Sequence, residues 1–157
     1  MQLFALDEEV MQLELGLPNL AGSARWHLLL PLAWYLRERD SQRALDLADE
    51  IESALGFHDI GMFERSSILA RISLLRGEVA YLNGRLPAAQ ACAQQALALS
   101  IEAGDACSQI DGQFLAASVL LAQGQSQAYR EQLQAMLAPL RAGDDGVRRL
   151  YCECLLA

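Results

Sequence analysis

The stretch Leu74–Asp105, LLRGEVAYLNGRLPAAQACAQQALALSIEAGD, leaves a chain like this few ways to fold. It reads as two antiparallel helices joined by a tight turn at Asn83-Gly84-Arg85. Gly77 lies inside the first helix, Gly84 ends it, and Pro87 opens the second, where a missing N–H costs nothing. Ala89, Ala93 and Ala96 keep one face of the second helix small, so that the two backbones can approach closely. The segments on either side read as weaker copies of this hairpin.

Helical periodicity continues through the rest of the chain. Leu6, Val10, Leu13 and Leu17 space a first helix, over residues 5–15, closed by Gly16 and Pro18. Asn19 to Ser23 reads as a loop, with Ser23 as the next N-cap. Residues 24–38 form a heavily buried helix in which Pro31 either kinks the axis or marks a fresh start. Asp40 and Ser41 cap a helix over 42–55, ended by Gly56, and Asp59 caps one over about 61–83. Helices over 87–103, 106–123, 127–141 and 147–157 follow, with Asp105, Ser126 and the pair Asp144-Asp145 at their starts. No strand pattern competes. Few β-branched residues and abundant Ala and Leu agree with an all-α domain spanning 1–157.

Helix, short turn and helix recur about every 40 residues. Gly84 and Gly124 are 40 positions apart, and Glu102-Ala-Gly-Asp105 is echoed 39 positions on by Arg141-Ala-Gly-Asp144. A period in this range is the signature of a helical solenoid, whose pairs bury their apolar faces only by stacking. Gly77, Gly84, Ala89, Ala96 and Leu97 resemble the small-residue signature of a tetratricopeptide repeat, with Gly77 at its eighth position, Ala89 at its twentieth and Ala96 at its twenty-seventh. Ser73, Ala80 and Ile101 depart from the Trp, Tyr and Pro usual there. The flanking copies depart further: residues 110–143 keep Ala117 and Gly124 but place Tyr129 where Ala belongs, and residues 25–57 keep Ala44 but carry Leu32 and Arg39. The resemblance implies a right-handed solenoid of about three helix pairs plus flanking helices. A generic antiparallel helical bundle is the alternative. The phrase ALALSIEAGD is similar to repeats in the N-terminal sensory regions of bacterial signalling proteins, such as GGDEF-type diguanylate cyclases and some transcriptional activators. That similarity implies a regulatory module whose output domain lies further along a longer chain. The uncapped apolar end, Val147 to Ala157, agrees with an N-terminal fragment, a short protein with a docked last helix being the alternative.

Charge and composition exclude several functions. A net charge of −8 argues against nucleic-acid binding. All twelve basic residues are Arg. The longest apolar run, Leu28 to Leu36, is far below the roughly 20 residues of a membrane span. Asp7, Glu8 and Glu9 stand where a secretory signal would be basic, and the four cysteines lack zinc spacing, so a reduced cytoplasmic compartment is expected. Cys152 and Cys154 point about 200° apart on a helix, a poor geometry for sharing a metal. No metal, cofactor or catalytic constellation emerges.

The expected function is therefore a non-catalytic interaction or sensory module that binds a protein or peptide segment. Counting from Gly77, the positions facing a concave groove are Arg71, Leu74, Glu78 and Tyr81, with Trp26, Leu29 and Ala33 before them and Asp111, Phe114 and Ser118 after them. Self-association through Leu150, Tyr151 and Leu155 is a further possibility for the apolar end. Two alternatives stay open: a small ligand-binding or enzymatic bundle using His27, His58 or the carboxylate runs at Asp7–Glu9 and Asp46–Glu52, and a scaffold that only dimerises.

Overall fold

The computed structural model describes residues 2–19, 22–57 and 59–157. Among these, eight α-helices form: α1 (Asp7–Gly16), α2 (Ser23–Leu36), α3 (Ser41–Leu55), α4 (Met62–Leu82), α5 (Leu86–Ala103), α6 (Ala106–Ala122), α7 (Ser126–Ala142) and α8 (Gly146–Leu156). A 3₁₀ turn, Leu17–Asn19, follows α1. Each helix packs mainly on its neighbours in the chain, and α2 also touches α4, as α4 touches α6. No helix among the described residues is long and apolar enough to cross a membrane.

The two turns at Gly84 and Gly124 are built alike. Gly84 and Gly124 both adopt positive φ, +70° and +77°, which only glycine takes up without strain. In each turn the same three backbone N–H groups close the preceding helix: Asn83, Gly84 and Arg85 bond Val79, Tyr81 and Ala80, and Gln123, Gly124 and Gln125 bond Val119, Leu121 and Leu120. Asp40, Asp105 and Asp145 each accept the backbone N–H three residues on, satisfying a donor that the helix start leaves free.

Four expected caps do not serve, among them Ser41, the first residue of α3, whose hydroxyl donates to the Arg37 carbonyl. Ser23 and Ser126 are themselves the first helical residues, behind Gly22 and Gln125. Gln125 closes the turn after α6 and also takes the cap position, so α7 starts one residue earlier than expected, at Ser126. Asp59 is not the N-cap of α4; Gly61 holds that position, without a side-chain cap. Pro31 neither starts nor ends a helix; α2 runs through it. Burial of Trp26, Leu29, Leu32, Ala33 and Trp34 on successive faces of α2 outweighs the roughly 3 kcal/mol that an internal proline costs.

The core is set by one close approach. Ala89, Ala93 and Ala96 on α5 are fully buried against α4. A methyl group at Gly77 would lie 2.5 Å from Leu115 Cδ2 and 2.9 Å from Cys92 Cβ, so α5 and α6 both press on this point. Gly112 on α6 plays a milder part, with Leu97 carbons at 3.1 Å from where its Cβ would stand. A second cluster, Ala117, Tyr129, Leu133, Met136, Leu140 and Cys152, closes the C-terminal end between α6, α7 and α8.

These distances order two substitutions. Gly77→Ala gains about 1 kcal/mol in helix propensity but overpacks a contact whose Cys92 side cannot yield without moving α5, a cost of about 1–3 kcal/mol. It is expected to lower stability by about 1 kcal/mol in urea unfolding, whereas Gly112→Ala, meeting side-chain carbons of Leu97 and Leu74 at 3.1 Å or more, stays near neutral. Equal effects at both positions would contradict the close approach.

Candidate functional site

A cavity of about 350 Å³ opens where α2, α4 and α6 come together with α7, α8 and the N-terminal segment. Glu78, Tyr81 and Leu82 enter from α4, and Asp111, Phe114, Ser118 and Leu121 from α6. The end of α2 adds Trp34, and the turn after it Arg37 and Glu38; α7 adds Tyr129, and α8 adds Tyr151 and Leu155. Leu3 and Phe4 form the remaining wall. They are held there because Trp34 Nε1 donates to the Leu3 carbonyl at 3.2 Å and Arg39 donates to the Ala5 carbonyl at 2.9 Å. Tyr151 meets Phe4 and Phe114 edge to face, with ring centroids at 5.9 and 5.0 Å.

Beneath the cavity lies a buried ion cluster. Asp111, 2% exposed, accepts from Arg71 of α4 and from both Nε and Nη2 of Arg148 of α8 at 2.7 Å. Arg148 also reaches Asp145 at 2.7 Å. Arg71 and Arg148 are equally hidden, at 4% and 3% exposed. Burial works against the Arg148 charge, but the hydrogen bonds and charges of Asp111 and Asp145 outweigh it and raise its pKa. Arg37 stacks over the Trp34 ring at 4.0 Å, donates to the Trp34 carbonyl at 2.7 Å and lies 3.2 Å from Glu38.

Glu78 differs from every other charged group in the cavity: among the described residues it makes no hydrogen bond and no ion pair. Burial pushes its carboxyl up; Arg37 opposes the shift, the charges of Glu38 and Asp111 add to it, and the pKa comes to about 7. Burial likewise raises the Tyr151 phenol, helped by the charges of Glu78 and Glu38.

Five of the ten residues expected in a groove, Glu78, Tyr81, Asp111, Phe114 and Ser118, line this one cavity. Their spacings of three, four and seven keep them on one face of each helix. The other five do not reach its surface; Leu29 and Ala33 are core. Leu74 is fully buried, and Arg71 is tied up beneath by Asp111. Trp26 is core, beside a separate small cavity with Leu29 and Ile51. Sequence reasoning did not place Trp34, Arg37, Glu38, Leu82, Leu121, Tyr129 or the N-terminal pair on the groove, and it gave Tyr151 and Leu155 to self-association instead. A signal for two of them was available: stepping back 40 residues from Leu74 and Glu78 lands on Trp34 and Glu38, and stepping forward 40 lands on Phe114 and Ser118.

Other candidate groups lie elsewhere. His27 is 3.4 Å from Glu64 and borders an open groove with Leu13, Leu30, Pro31 and Tyr35, while His58 lies outside the described residues. Asp49 and Glu52 both pair with Arg76, Glu50 with Arg25 and Asp7 with Arg39. Cys152 is buried with its thiol against the Leu133 carbonyl, and Cys154 is exposed. Of the apolar end, Leu150 faces solvent, whereas Tyr151 and Leu155 turn into the cavity. Among the described residues no group of three or more Cys, His, Asp or Glu is arranged to hold a metal.

Comparison with protein-family models, with curated proteins and with solved structures gives no match for this chain.

Three substitutions test the electrostatics. Asp111→Ala leaves two buried guanidiniums without their shared carboxylate, and a loss of about 3–5 kcal/mol is expected in denaturant unfolding. Breaking the exposed Arg25–Glu50 pair with Glu50→Ala, which leaves the Arg25 bond to the Leu17 carbonyl in place, should cost about 0–1 kcal/mol. For Glu78, the folded pKa of about 7 lies above the ordinary 4.5, so the folded state holds more protons between the two. Its contribution is therefore favourable at low pH and is lost as pH rises through 7. Glu78→Gln is expected to be more stable than the wild type at pH 8 by about 2 kcal/mol, a figure discounted for partial exposure, with the difference vanishing near pH 4. Urea unfolding of both proteins across that range checks the sign.

Proposed function

We propose that this domain is a non-catalytic interaction module of tetratricopeptide type, in which α2–α3, α4–α5 and α6–α7 act as successive hairpins and the first helix of each faces a shared groove. One observation carries most of the weight. Residues 40 positions apart, Glu38 in the turn that follows α2, Glu78 on α4 and Ser118 on α6, line the same cavity. Such a register is what stacked repeats produce, because each repeat contributes the same position to a common concave side. The matching turns at Gly84 and Gly124 support the same repeat.

A protein segment suits this cavity as its occupant. Its walls combine aromatic rings with a few polar groups, and exposed Leu82 and Leu121 beside it offer apolar contact to the residues flanking an inserted side chain. Placement in a bacterial signalling protein, of the diguanylate cyclase kind, is supported by the alanine-rich repeat phrase alone. A cytoplasmic setting fits the reduced cysteines.

Selection of peptides from a random display library on the immobilised domain tests the proposal. Enriched peptides are expected to bind Ser118→Phe, which fills the cavity, at least about tenfold more weakly, a difference of 1.4 kcal/mol. Leu121→Ser, a change at the exposed rim that leaves the core intact, should weaken them less. If no peptide is enriched, or if neither substitution alters binding while circular dichroism shows both variants folded, the groove is not an interaction site.

A further inference from the structure

We propose that the cavity receives a cationic side chain, the guanidinium or ammonium of an Arg or Lys in a peptide partner, with Glu78 as counter-charge and Tyr81, Phe114 and Tyr151 as walls. The inference rests on the interaction role proposed above and specifies what that groove selects.

The polar inventory of the cavity points one way. Arg37 is satisfied by the Trp34 carbonyl, the Trp34 ring and Glu38. Its Nε is buried without a hydrogen bond and has no surface on which to meet a ligand. Both oxygens of Asp111 are taken by Arg71 and Arg148. Ser118 donates to the Phe114 carbonyl at 3.0 Å. The Glu78 carboxylate is left, together with the Tyr81 and Tyr151 hydroxyls, which can donate or accept; an ionised carboxylate can only accept. A ligand that supplies hydrogen-bond donors and positive charge answers that demand.

An anion would instead meet Glu38 and Glu78 together and would find no free guanidinium to offset them. The walls agree, since the faces of Tyr and Phe rings attract ammonium and guanidinium groups. At about 350 Å³ the cavity lies at the small end of ligand sites, which suits one long side chain. The net charge of −8 steers basic segments toward the domain as a whole. A peptide is preferred over a free amine because Leu82 and Leu121 beside the cavity are apolar and exposed, so they reward the residues on either side of the cation.

The presence of a cation would also relieve Glu78. The groups that set its protonation are Arg37, Glu38 and Asp111, with the Tyr151 phenol close by. A bound guanidinium favours the ionised carboxylate, so the Glu78 titration midpoint should fall by at least about one unit on saturation, and affinity should rise about tenfold between pH 6 and pH 8.

Three measurements on the intact domain decide the matter. Peptides selected on the wild type should be rich in Arg or Lys and should lose at least about tenfold in affinity on Glu78→Gln at pH 8. N-acetyl-arginine amide should shift the ring resonances of Tyr81, Phe114 and Tyr151 in NMR, and N-acetyl-glutamine amide should not. The carboxyl carbon of Glu78 should titrate lower in the presence of the arginine probe. Selected peptides without basic residues, or peptides indifferent to Glu78→Gln, would overturn the cation site and leave the interaction role standing. Binding of agmatine with no peptide enriched would move the site to free amines and overturn the peptide as its source. If neither peptides nor cationic probes bind, both proposals fall.

Discussion

A single carboxylate, Asp111, holds three helices in register. It sits on α6, takes Arg71 from α4 and Arg148 from α8, and is itself almost completely hidden from water. Such a cluster is poor evidence for high stability, because removing these charges from solvent offsets much of their attraction. Its strength is in specificity. A shift of α4 or α8 by one turn would strand a buried charge, so few competing arrangements of these helices survive. The cavity lies directly above this cluster, and its floor is therefore the most constrained part of the molecule.

The same site shows two ways of placing charge near aromatic rings. Arg37 and Arg71 lie over the Trp34 ring, at 4.0 and 5.6 Å, and both are bound by oxygens of the protein itself. Glu78 is left without such a partner. Retaining an ionisable group there works against stability above neutral pH, and a residue kept at that cost is a common mark of a surface shaped for something other than folding. The contrast with Asp105 is instructive. Burial would raise its pKa too, yet hydrogen bonds from Ser108 and Ser67 hold it below the ordinary carboxylate range. Asp105 is a structural cap with its acceptors filled.

Much of the fold was legible in the residues. The glycines and alanines at 77, 84, 89 and 96 announce close helix contact, and the structure brings α4 and α5 together at those positions. Helix starts were less legible at Ser126 and Asp59, because a capping residue signals a nearby start without fixing which backbone N–H it reaches. The face of α4 and α6 was also readable, since helical spacing alone decides which residues share it. Trp26 illustrates the limit. Its register was extrapolated across a loop into a segment with weak repeat features, where the 40-residue step that links Trp34, Leu74 and Phe114 was the better guide. The parts contributed by Leu3, Phe4 and Tyr151 had no local signature. They reach the cavity through contacts between segments far apart in sequence, and an aromatic residue in an apolar run reads equally well as core.

The N-terminal segment has a consequence for how the cavity behaves as an object. Leu3 is fixed by a bond from Trp34 to its backbone carbonyl, and Phe4 leans on Tyr151 of the last helix. The first few residues and the final helix thus share one pocket wall, although almost the whole chain separates them. Local opening at either place removes that wall, so the pocket's existence is thermodynamically linked to the docking of both segments. A ligand that needs the complete pocket would pull both segments into place at once. A label on Phe4 and another on α8 would then report the same event from opposite ends of the polypeptide.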